Sequence, residues 1–293
     1  MPPLEASLRL SFSNILFPTD FTQASQAALP FARAIAHSYG SKIWVTHAVA
    51  PNPPVFLPLE PIPLAMDTQW QDAQQSLDRF SDQGPLDDTP HMEVLERGEL
   101  WNVLEDQIQR HKIDLIVLGT HGRHGLKKFV LGSAAEQIFR RASCPVLTVG
   151  PHVAPPQEPA TFISIIAAID FSAGSLQALP YALSLAEENQ AELVLFHVIP
   201  LVPIEHQESV AASARTHLEE LLPTDASDWC RPECLVRFEF PAEGILNLAE
   251  TRHADLIVMG VHRRAPVASA HLPWATAYQV VCHATCPVLT VRG

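Results

Sequence analysis

Short apolar runs alternate with amphipathic stretches along this chain, and the alternation runs its course twice. Asn14-Ile15-Leu16-Phe17 and Ile163-Ser164-Ile165-Ile166-Ala167-Ala168-Ile169 are apolar almost throughout, the pattern of parallel strands buried on both faces. Asp20 and Asp170 close those runs, and Thr22 or Ser25, and Ser172 or Ser175, follow as N-caps of the next helices. Pro30 and Pro180 fall inside those helical patterns, where a missing N–H predicts a kink or a restart. Second strands are expected at 42–47 and 192–197, each leading into a proline-bearing irregular excursion, Pro51–Pro63 and Pro200–Pro203. Long helices at about 66–83 and 205–222, third strands at 92–96 and 234–240, and helices at 99–111 and 242–253 come next. Fourth strands at 114–119 and 255–260, last helices at 133–142 and 275–284, and fifth strands at 145–149 and 287–291 complete each half.

This order predicts an α/β protein made of two tandem Rossmann-like domains. Each has a five-stranded parallel sheet between helices and takes ligands at the carboxyl ends of its strands. The Pro-rich stretch Ala154-Pro155-Pro156-Gln157-Glu158-Pro159 reads as a stiff linker. It divides the chain into two expected domains, over 1–151 and over 160–293.

The two halves share words as well as rhythm. Asp114-Leu115-Ile116-Val117-Leu118-Gly119 returns as Asp255-Leu256-Ile257-Val258-Met259-Gly260, and Cys144-Pro145-Val146-Leu147-Thr148-Val149 as Cys286-Pro287-Val288-Leu289-Thr290-Val291. Beyond the shared glycine they part. The first half has Gly122, Gly132 and Ser133, whereas the second has Arg263 in place of Gly122 and Pro273, Trp274 or Ala275 in place of Gly132. A polyphosphate must lie close to main chain, so removing side chains at 119, 122 and 132 suits one. Backbone N–H groups at the turn and at the N-terminus of the last helix then point at the anion. Arg123, His124, Lys127 and Lys128 add local positive charge. In the second half a proline cannot donate and a tryptophan would fill the phosphate volume, so that half is expected to be a structural partner.

Composition narrows the function. With 19 Lys and Arg against 32 Asp and Glu the net charge is −13, which disfavours a general nucleic-acid binder. No apolar run reaches the roughly 18 residues of a membrane span, and Met1-Pro2-Pro3-Leu4-Glu5 does not open a secretory signal. The five cysteines suit a reduced, cytoplasmic protein rather than a disulfide framework. The Cys230/Cys234 and Cys282/Cys286 spacings are read as structural, with no metal assigned. His47 and His197, at equivalent strand ends, are read as hydrogen-bonded near-core residues. No catalytic residue is assigned.

Gly119-x2-Gly122-x9-Gly132-Ser133, the aspartate after the first strand, the Asp-Leu-Ile-Val-Leu-Gly strand and the Cys-Pro-Val-Leu-Thr-Val ending together resemble the universal stress protein family, as a tandem member with an adenine nucleotide alpha hydrolase-like fold. The resemblance implies ATP, with or without Mg²⁺, as ligand. It implies Pro18, Thr19 and Asp20 on the adenosine side, Ala48 at the adenine, and Leu118 and Gly119 at the ribose. His121, Gly122, Gly132, Ser133 and Ala134 would contact the phosphates. It further implies a stress-response role, with at most slow ATP hydrolysis, and pairing through the last strands, within the chain or as a homodimer. The alternatives are a slow ATPase or phosphotransferase using the same cleft, and a ligand-free interaction module.

Overall fold

A computed structural model describes residues 10–51, 63–120, 131–156, 159–200, 204–261 and 273–293. The chain divides into two compact units, one lying within residues 12–144 and the other chiefly within residues 145–293.

In the first unit β1 (Asn14–Pro18), β2 (Lys42–Val49), β3 (His91–Arg97) and β4 (Leu115–Gly119) lie in the order β3-β2-β1-β4. They pair in parallel, with Pro18 opposite Thr46 and Leu16 opposite Ile116. Helices α1 (Gln23–Gln26), α2 (Leu29–Tyr39), α3 (Pro63–Asp82), α4 (Leu100–His111) and α5 (Ser133–Arg141) accompany them. Ile15, Leu16, Phe17, Leu115, Ile116 and Val117 are fully buried, as strands covered on both faces require.

The second unit repeats the plan. β6 (Ser164–Ala168), α6 (Ala173–Asn189), β7 (Glu192–Ile199), α7 (Ile204–Glu219), α8 (Ala226–Trp229), β8 (Arg231–Phe238), α9 (Pro241–Thr251), β9 (Leu256–Val261), α10 (Pro273–His283) and β10 (Val288–Arg292) follow one another. Its strand order is β10-β9-β6-β7-β8, all parallel. The strand β5 (Val146–Val149) groups with this unit and runs antiparallel to β10, Leu147 opposite Leu289. Thr148 Oγ1 donates to Val288 O at 3.1 Å and Thr290 Oγ1 to Val146 O at 3.2 Å, a reciprocal pair that satisfies both buried hydroxyls.

Thr22 and Ser172 are the N-caps, their side chains accepting from the Ser25 and Ser175 N–H groups at 3.3 Å. The two prolines behave differently. In the first repeat the helix breaks at Ala27 and restarts with Pro30 in its first turn, where its missing N–H costs nothing. In the second, α6 runs through Pro180 as one helix of 17 residues. The aspartates that open the fourth-strand words tie down the starts of the first strands. Asp114 accepts from the Ser13 and Asn14 N–H groups at 2.7 and 3.1 Å, and Asp255 from those of Ile163 and Ser164 at 3.1 and 3.0 Å. Burial pushes both carboxyls up, against the pull of those hydrogen bonds.

Pro51 opens the first excursion, but residues 52–62 and 201–203 lie outside the described residues, so the irregular excursions are not characterised. All five cysteines are free thiols.

Candidate functional site

The residues assigned from sequence converge on the carboxyl end of the first unit's strands. Pro18 is the last residue of β1, Ala48 lies near the end of β2 opposite Glu96, and Gly119 ends β4. Immediately after β1 the backbone turns sharply. Phe21 adopts φ = 60° and its counterpart Phe171 φ = 61°, a left-handed conformation that costs a residue with a Cβ about 1–2 kcal/mol. The aspartate before each supports the turn. Asp20 Oδ1 accepts from Thr22 N at 3.1 Å and Thr22 Oγ1 at 2.6 Å, and Asp170 Oδ1 accepts from Ser172 N at 3.0 Å and Ser172 Oγ at 2.5 Å.

A histidine holds each turn from the neighbouring strand. His47 Nδ1 lies 2.7 Å from Thr19 O and His197 Nδ1 2.6 Å from Ile169 O. A carbonyl only accepts, so Nδ1 carries the proton in both rings, leaving Nε2 as the acceptor nitrogen of the neutral form. The phenylalanine rings pack on them, with centroids 4.9 Å apart for Phe21–His47 and 4.7 Å for Phe171–His197.

Thr19 also holds the turn together. It is 6% exposed, donates its N–H to Thr46 O at 3.0 Å, and turns its hydroxyl to Ser25 Oγ at 3.1 Å and Phe21 N at 3.0 Å. These bonds run inward and hold the turn. Leu118 is 3% exposed, packed into the core just before Gly119. Gly119 is glycine for a packing reason as well: a Cβ there would stand 2.0 Å from the Ala24 carbonyl oxygen.

The helix that follows β4 turns its N-terminus to the same end of the sheet. Gly132 is the N-cap of α5, with extended backbone (φ −58°, ψ 151°) and no side chain to cap the first turn. Its own N–H is committed, donating to Thr120 O at 2.8 Å. That bond brings the two ends of the 121–131 segment together and fixes the start of α5 beside the end of β4. Ser133 and Ala134 are exposed in the first turn, where N–H groups lack intrahelical partners and the helix dipole favours an anion. Ser133 and Ala134 thus carry first-turn N–H groups at an end of the helix that no side chain caps. His121 and Gly122 lie outside the described residues, as do Arg123, His124, Lys127, Lys128 and Arg263. Among the described residues no three His, Cys, Asp or Glu side chains assemble into a metal site.

The second unit treats the same place differently. Val261, which follows Gly260 as Thr120 follows Gly119, accepts at its carbonyl from Gly293 N at 3.2 Å. Aligned on Cys144 and Cys286, α10 begins at Pro273, two residues before the counterpart of Ser133. Its backbone thus reaches about 3 Å further toward the strand ends, and its first residue has no N–H to offer.

The fold is a doubly wound parallel α/β architecture, repeated in the two units, with a helix N-terminus beside the carboxyl ends of the first unit's strands. The universal stress protein family model matches residues 11–150 and again 162–292, and the chain belongs to that family. It is 26% identical over 291 residues to a universal stress protein of Mycolicibacterium smegmatis, covering 95% of this chain and 97% of that one. It is 32% identical over 142 residues to a universal stress protein of Methanocaldococcus jannaschii, covering 47% of this chain and 82% of the relative. The crystal structure of a universal stress protein from Archaeoglobus fulgidus superposes with a TM-score of 0.72 at 18% identity, covering 95% of this chain and 98% of that one, which supports the fold. No helix among the described residues is long and apolar enough to cross a membrane.

Proposed function

We propose that the chain is a cytoplasmic stress protein that binds an adenine nucleotide, ATP in the first instance, in its N-terminal repeat (1–151). Its C-terminal repeat (160–293) serves as a pseudo-dimer partner through β5 and β10. The observation that carries the reading is the start of α5: an uncapped first turn, exposed at Ser133 and Ala134, pinned to the end of β4 by the Gly132–Thr120 bond. Phosphates would take the free first-turn N–H groups and the Ser133 hydroxyl. Asp20 and the backbone at Ala48, Leu118 and Gly119 would flank the nucleoside, with His121 and Gly122 adding phosphate contacts from the loop. Since no carboxylate cluster gathers among the described residues, any Mg²⁺ would be held chiefly by the nucleotide's own phosphates. In the second repeat the earlier start of α10 and its leading proline argue against a triphosphate.

Mass spectrometry of small molecules released from purified protein, with calorimetric titration of ATP, tests the reading. One ATP per chain is expected. Gly132→Trp, which copies the second repeat, should abolish binding, and undiminished affinity in that variant would refute the assigned site.

A further inference from the structure

The two repeats fill the space beneath their left-handed phenylalanine differently. In the first, α3 lays Phe80 against Phe21, ring centroids 6.2 Å apart, and Leu77 and Phe80 are 3% and 4% exposed. In the second, His217 of α7 takes the place of Phe80, 6.0 Å from Phe171 in an edge-on arrangement. Matching the helices on that contact sets Ala214 opposite Leu77. The smaller side chain leaves an open cleft of about 360 Å³ between β7 and α7, lined by Phe171, His197, Ile199, Ser213, Ala214 and His217 among others. Its size falls at the lower end of small-molecule sites, and its apolar wall with a few convergent polar groups is the usual make-up of one.

The cleft differs from the nucleotide site in position. His197 and Ile199 alternate along β7 with Val198, and Val198 turns toward α9, where it meets Gly244. Val198 is the counterpart of Ala48, so the cleft occupies the α7 face of the strand.

We propose that this cleft binds an uncharged, planar aromatic compound bearing a hydroxyl or N–H group. Among the described residues the lining contains no Lys, Arg, Asp or Glu, so a charged ligand would find no permanent counter-charge there. Phe171 and His197, 4.7 Å apart, offer ring faces for stacking, and Ile199 and Ala214 complete the apolar wall. His217 and Ser213, both exposed at the mouth, are placed to hydrogen-bond the ligand's polar substituent. The inference does not depend on nucleotide binding in the first repeat.

Calorimetric titration and saturation-transfer NMR on the full chain, with 2-naphthol as probe and adenosine as a second arm, test it. Saturable 2-naphthol binding is expected, with affinity reduced at least tenfold in Ala214→Leu, which restores the first repeat's packing. The same loss is expected in His217→Phe, a change at an exposed position that leaves the fold intact. ATP should not compete. Absence of 2-naphthol binding, affinity unchanged in both variants, or binding of adenosine alone would each overturn the proposal.

Discussion

A methyl group on Gly119 would stand 2.0 Å from the carbonyl oxygen of Ala24, and one on Gly260 would stand 2.2 Å from the Ser175 nitrogen. In both repeats the helix after the first strand crosses the end of the fourth strand with no room for a side chain. The shared glycine is therefore demanded by the scaffold, whether or not a ligand lies beside it. Gly119→Ala and Gly260→Ala should each destabilise the unliganded protein by about 2 kcal/mol or more, since backbone is the obstacle and must move. Urea unfolding without nucleotide measures this. A loss below about 0.5 kcal/mol would show that the close approach relaxes freely and return the glycine to a ligand-driven role.

His47 and His197 give a second internal comparison. Each donates Nδ1–H to a carbonyl of the turn after the first strand, at 2.7 and 2.6 Å. Phenylalanine at either position keeps the ring against Phe21 or Phe171 but orphans the Thr19 or Ile169 oxygen. The expected cost is about 1–3 kcal/mol in each case, the desolvation penalty of an unsatisfied acceptor. Equal losses in His47→Phe and His197→Phe, read from denaturation midpoints, would mark the bond as a scaffold feature. A stable His47→Phe with weakened ATP binding would instead make His47 a ligand contact.

The strands were legible because each buried parallel strand writes a short apolar run bounded by polar residues, as Ile15–Phe17 and Ile165–Ala167 do. The caps were legible too, since a hydroxyl three residues before a free N–H has few other uses. The sequence does not distinguish glycines that make room for a ligand from glycines that make room for the fold. Nor does it reveal that the Thr19 hydroxyl turns inward to Ser25. Pro30 and Pro180 occupy equivalent positions, yet a helix restarts just before one and continues through the other. The cleft under Phe171 was invisible as well. It depends on setting Ala214 against Leu77 across helices whose alignment becomes apparent only once Phe80 and His217 are seen against their phenylalanines.

The matched cysteines at the entries to the last strands should be chemically silent. Burial pushes the Cys144 and Cys286 thiols up to about 12, and those of Cys230 and Cys234 up to about 11. Because the thiolate is the reactive form, an aromatic disulfide reagent at about pH 8 should label buried Cys230 and Cys286 only as fast as the protein unfolds, and half-buried Cys144 and Cys234 slowly. Under denaturant all five should react within minutes. Rapid labelling of Cys286 in native protein would contradict its burial.

The last helix turn of α4 carries a pH dependence whose sign is fixed by its surroundings. His111 stacks on Trp44 with ring centroids 3.5 Å apart and an interplanar angle of 19°, and Lys42 Nζ lies 4.3 Å from the Trp44 ring centroid. Burial first, and then the charges of Arg110 and Lys42, hold the imidazole below its ordinary value, with Asp106 and Glu96 pulling the other way. The unfolded chain therefore takes up this proton at a higher pH than the folded one. The contribution is fully present above the ordinary histidine value of about 6.5 and is lost as pH falls through the lowered folded value. His111→Phe keeps an aromatic ring on Trp44 but removes the titration. Between about pH 7.5 and about pH 5 the wild type should lose more stability than the variant, while groups common to both, Asp114 included, cancel in the comparison. Urea midpoints of the two proteins at each pH supply the measurement. Parallel curves would mean that His111 gains its proton without cost in the folded state, and the stacked geometry with Trp44 would then have to accommodate an imidazolium.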